Sequence, residues 1–98
     1  MLREQLGDLD GARARYEAAL NSGAGPEPRA IAWINLGLLK ARLNDWPGAQ
    51  AAQDAGLALT RLPDTRANAL LNLADLRRRA GELGAKIDRL ELFLEERA

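Results

Sequence analysis

The chain has 98 residues, 47% of them hydrophobic but only 4% aromatic, and its fourteen basic and fourteen acidic residues cancel. Such a length makes one small domain that buries only about 60–65% of its unfolded surface, with a core drawn from aliphatic side chains. The neutral balance gives no general pull toward nucleic acid or an anionic membrane, and with neither Cys nor His the chain lacks disulfides, thiol chemistry and the commonest general base.

From the N-terminus, apolar residues at steps of three and four predict five helices, over 8–21, 28–43, 45–60, 64–80 and 83–97. Asp8, Asp45 and Asp64 stand at three of the starts, where a carboxylate accepts from free backbone N–H groups and suits the helix dipole. Between the first two helices, Asn21 to Pro28 holds two Gly and two Pro and reads as the longest loop. Ile31, Ile34 and Leu38 mark the apolar side of the second helix. Pro47 falls in the first turn of the third, where a missing N–H costs little. Arg61-Leu62-Pro63 reads as a shorter break, and Leu73, Leu76 and Ala80 carry the rhythm of the fourth helix. Nothing near Met1 reads as a signal peptide and no apolar run approaches about 18 residues, so a cytoplasmic protein is expected.

A period of 37 residues runs through these elements: Gly7-Asp8-Leu9, Asn44-Asp45-Trp46 and Gly81-Glu82-Leu83 overlay, each read as a turn. In the same register Ala12, Ala49 and Lys86 coincide, as do Tyr16, Gln53 and Leu90, then Ala19, Gly56 and Phe93, then Leu20, Leu57 and Leu94. Upstream, Trp33-Ile34-Asn35-Leu36-Gly37 coincides with Leu70-Leu71-Asn72-Leu73-Ala74. A period of this size signals units that bury their apolar faces by stacking on neighbours. Trp33-x-x-Leu36-Gly37, a turn, then Ala49 and a late Leu resemble the tetratricopeptide repeat, a pair of antiparallel helices of about 34 residues. The resemblance covers nearly the whole chain and implies an all-α, right-handed solenoid of helix pairs. It divides a single domain, 1–98, into a partial repeat (1–25), a full repeat (26–62) and a degenerate repeat (63–98). In the last, Leu70 replaces Trp, Ala74 replaces Gly, and Lys86 stands where a small Ala lets two helices approach.

Catalysis is not expected. Ser22 is the one Ser and has no identifiable base, no glycine-rich phosphate loop is present, and Glu91, Glu95 and Glu96 read as a solvated helix face rather than a cation site. No cofactor or metal is expected. Binding of another protein or peptide is, because the resemblance implies that the first helix of each unit lines a concave groove. On that reading Trp33, Leu36 and Gly37 pack inward. Ile31, Ile34, Asn35, Leu38 and Arg42 face the groove from one unit, and Asn68, Leu71, Asn72, Asp75 and Arg79 from the next. A carboxamide both donates and accepts, so Asn35 and Asn72, one repeat apart, suit the backbone of an extended peptide; the competing reading is that each satisfies a helix end or faces water.

Two further features admit alternatives. Ile31, Ile34 and Leu38 border the place of a missing first helix, and Leu92 and Phe93 stand at the other end, so both edges look unfinished; a self-associating scaffold is the alternative function, with Ile34→Asp expected to dissociate it. Arg77-Arg78-Arg79 cannot share one helix face, since consecutive residues point about 100° apart, and positive charge suits a helix C-terminus. A clamp for chaperone tails is not expected, because Ile34, Leu38, Asn68 and Asn72 stand where it needs other partners. A helical-repeat nucleic-acid binder is disfavoured by the neutral charge.

Overall fold

The structure is a computed structural model describing the backbone of residues 2–97 and the side chains of 8–96. Those residues form four helices and no strand: α1 (Leu2–Asn21), α2 (Pro26–Arg42), α3 (Trp46–Leu59) and α4 (Pro63–Arg97). None is long and apolar enough to cross a membrane.

The turn between α2 and α3 forms where the sequence supplies every part of it. Asn44 adopts φ 63°, a left-handed conformation that Asn tolerates better than most side chains. The Asn44 N–H then donates to the Ala41 carbonyl (3.0 Å) and the Asp45 N–H to the Lys40 carbonyl (2.9 Å), closing the end of α2. Asp45 next caps α3, its Oδ1 accepting from the Gly48 N–H at 3.0 Å, and Pro47 sits in the first turn.

The two other expected turns are absent; without the second, the expected helices 64–80 and 83–97 are one, which corrects five helices to four. Helix α1 starts at Leu2 and runs through Gly7 and Asp8, so Asp8 is no cap, and α4 runs 35 residues through Gly81-Glu82-Leu83. Neither site has a Pro after the turn nor a residue at positive φ; among the described residues only Gly23 and Asn44 have one. A glycine inside a helix costs about 1 kcal/mol, less than breaking the ladder with nothing gained.

The core lies in the α2–α3 pair. Ala30, Ile34 and Gly37 of α2 meet Ala49, Ala52, Gln53 and Gly56 of α3, small against large. A Cβ on Gly56 would stand 2.8 Å from Ile34 Cγ1 and 3.0 Å from the Ala30 carbonyl oxygen, so glycine sets the helix separation there. Helix α1 packs on α2, while the first half of α4 packs on α3, burying Ala69 and Leu73. Glu27, at the start of α2, ties down the α3–α4 junction: Thr60 Oγ1 donates to its Oε2 at 2.6 Å and the Arg61 N–H to its Oε1 at 2.7 Å.

Candidate functional site

Among the described residues α1 and α4 do not pack on each other, although both flank α2. Between them a cleft of about 400 Å³ opens over the C-terminal half of α2. Leu9, Ala12 and Tyr16 form its α1 wall, Asn35, Leu38 and Arg42 its floor, and Asn72, Asp75, Leu76 and Arg79 its α4 wall. Steps of three and four put each set on one face of its helix.

Six of the ten groove residues read from the sequence come together here: Asn35, Leu38, Arg42, Asn72, Asp75 and Arg79. The remaining four do not. Ile34 is buried, its side chain against Gly56 in the α2–α3 interface, so it faces the core rather than a groove. Ile31, a turn before Asn35, is exposed beyond the cleft lining, and so are Asn68 and Leu71. Leu71 is 68% exposed; one residue before Asn72, it points about 100° away from it around α4. Trp33 is half-buried in a seam with Leu20 and Arg29 instead of lying fully inward.

One residue beneath the cleft is not among those ten. Gln53 is 1% exposed; its Nε2 donates to the Ile34 carbonyl at 3.0 Å, and its Oε1 accepts a longer bond, 3.4 Å, from Asn72 Nδ2. The coincidence of Tyr16 and Gln53 in the 37-residue register was the available signal, since both line this cleft. Gln53 thus engages the amide nitrogen of Asn72, whose oxygen accepts no hydrogen bond among the described residues. The Asn35 carboxamide has no partner among the described residues.

The charges on the rim are unequal. Asp75 is held twice, by Arg78 at 2.6 Å and by Arg79 at 3.0 Å, and the Arg79 guanidinium lies 5.9 Å from the centre of the Trp46 ring. Arg42 has no acidic partner among the described residues, so the lining carries a net positive charge. No group of acidic side chains able to hold a metal occurs among those residues. Comparison with protein-family models, with curated proteins and with solved structures found no match to this chain.

Proposed function

We propose that the chain is a protein-interaction module of the tetratricopeptide kind, a piece of right-handed helical solenoid whose cleft takes an extended peptide or a helix of a partner protein. The observation that carries this reading is one cleft lined both by apolar side chains, Leu9, Leu38 and Leu76, and by two carboxamides from two helices, Asn35 of α2 and Asn72 of α4. A shaped apolar wall with a few convergent polar groups is the usual form of a binding site. Asn35 offers a donor and an acceptor, and Asn72 an acceptor, to a peptide backbone, while Leu38 and Leu76 take an apolar side chain beside it. Catalysis and cofactors have no part in this reading.

The test is fluorescence polarisation with a library of labelled peptides. Asn35→Ala with Asn72→Ala should weaken the best binder about tenfold or more, as the loss of two hydrogen bonds implies. Because Asn72→Ala takes the donor from the buried Gln53 oxygen, the double variant should melt somewhat below the parent but cooperatively and with its helical signal kept. An affinity that the two substitutions leave unchanged rejects the cleft as the peptide site.

A further inference from the structure

Helix α4 carries one apolar stripe along its whole length, and only the first half is covered. Ala69 and Leu73 are buried on α3 and Leu76 is half-buried at the cleft. Ala80, Leu83, Ile87, Leu90 and Leu94 continue the stripe at alternating steps of three and four, the seam of a two-stranded coiled coil. These four large side chains are 47–57% exposed, and from 85 to 96 every residue is exposed. The molecule presents 7233 Å² of surface, where a compact monomer of its mass would present about 5,500 Å².

Charge along this segment is divided by halves. From 77 to 86, Arg77, Arg78, Arg79 and Lys86 stand against the single Glu82; from 88 to 96, Asp88, Glu91, Glu95 and Glu96 stand against the single Arg89. A parallel neighbour would set like on like, whereas an antiparallel neighbour sets each basic half on an acidic one. Gly84 lies between the halves beside the seam, and a Cβ there would meet nothing within 4 Å in its own chain.

We infer that the exposed half of α4 pairs antiparallel with the same segment of a second copy of this chain. In that register Leu83 faces the second copy's Ile87, Ala80 its Leu90 and Leu76 its Leu94. Gly84 meets its own copy at the two-fold axis, where the missing side chain lets the backbones approach, and Arg77 falls beside Glu91 on both sides of the axis. Lys86 meets its own copy and is the unfavourable position, relieved because its long stem carries the ammonium into water. Ile87, Arg77 and Glu91 lie outside the cleft lining, so their variants read the pairing apart from a peptide in the cleft; Leu76 alone is shared by the seam and the cleft.

Sedimentation equilibrium over roughly a hundredfold range of concentration tests this. The parent should shift reversibly from one chain of 10.7 kDa to a pair. Ile87→Asp, at an exposed position that leaves the core alone, should stay monomeric with its helical melting retained. Arg77→Glu should weaken the pair about tenfold by setting Glu against Glu, and Arg77→Glu with Glu91→Arg should restore it. The inference is overturned by a monomer at every concentration, by a dimer indifferent to Ile87→Asp, or by a double variant as weak as the single one. A monomer with protected amides over 85–96 would overturn it as well, by placing that segment back on its own chain.

Discussion

At single positions, the glycines divide by what surrounds them. A Cβ on Gly56 would press on the Ala30 carbonyl oxygen and on Ile34, atoms of a neighbouring helix that cannot step aside singly. Gly56→Ala is therefore expected to lower stability by about 1–2 kcal/mol, the overpacking cost less the gain in helix propensity. Gly81 has open space on all sides, so Gly81→Ala should raise stability by about 0.5–1 kcal/mol. Chemical denaturation of both variants checks the opposite signs. Glu27 provides a test by pH. The Thr60 hydroxyl first, and then the Arg61 N–H, hold its carboxyl below the ordinary value of 4.5 in the folded chain. Its contribution to stability is thus present in full above that value and is lost as pH falls through it toward the lower folded one. The stability gap between the parent and Glu27→Gln should accordingly be constant near neutrality and close on acidification below 4.5. A gap that widens there would contradict the assignment.

At the scale of elements, stability is concentrated in α2 and α3 and runs out along α4. Ala30, Ala32, Ile34, Leu36 and Leu39 are buried on one side of the central pair and Ala49, Ala52 and Gln53 on the other, while nothing from 85 to 96 is buried. In hydrogen exchange at concentrations where the chain is a monomer, amides of 85–96 should exchange orders of magnitude faster than those of 32–39 and 49–56. Equal protection would mean that the distal half of α4 is covered. The element boundaries also explain which turns were legible. Asn44-Asp45-Trp46-Pro47 carries a residue suited to left-handed backbone, a cap and a helix-starting Pro, and it forms a turn. Gly81-Glu82-Leu83 shares its place in the period but not these parts, and helix continues through it. Similarity of register located a possible turn; local chemistry decided whether the chain took it.

On the scale of the whole molecule, a 35-residue helix spans roughly 52 Å and accounts for most of the 58 Å longest dimension. The radius of gyration, 16.9 Å, exceeds the roughly 13 Å of a compact domain of this length. Such a shape leaves the cleft over α2 and the distal stripe of α4 exposed. Helical content, the central α2–α3 turn, and the grouping of Asn35, Leu38 and Arg42 on one face of α2 and of Asn72, Asp75 and Arg79 on one face of α4 were all set by the sequence itself. Each depends on spacing within one helix or on residues adjacent in the chain, where 3.6 residues per turn decides which side chains stand together. Only the tertiary structure decided that the faces of α2 and α4 meet in one cleft, that Ile34 is core rather than groove, and that Gln53 lies beneath Asn72. Those outcomes turn on how closely helices approach, which Gly37 and Gly56 settle between α2 and α3 through contacts with residues distant in the chain.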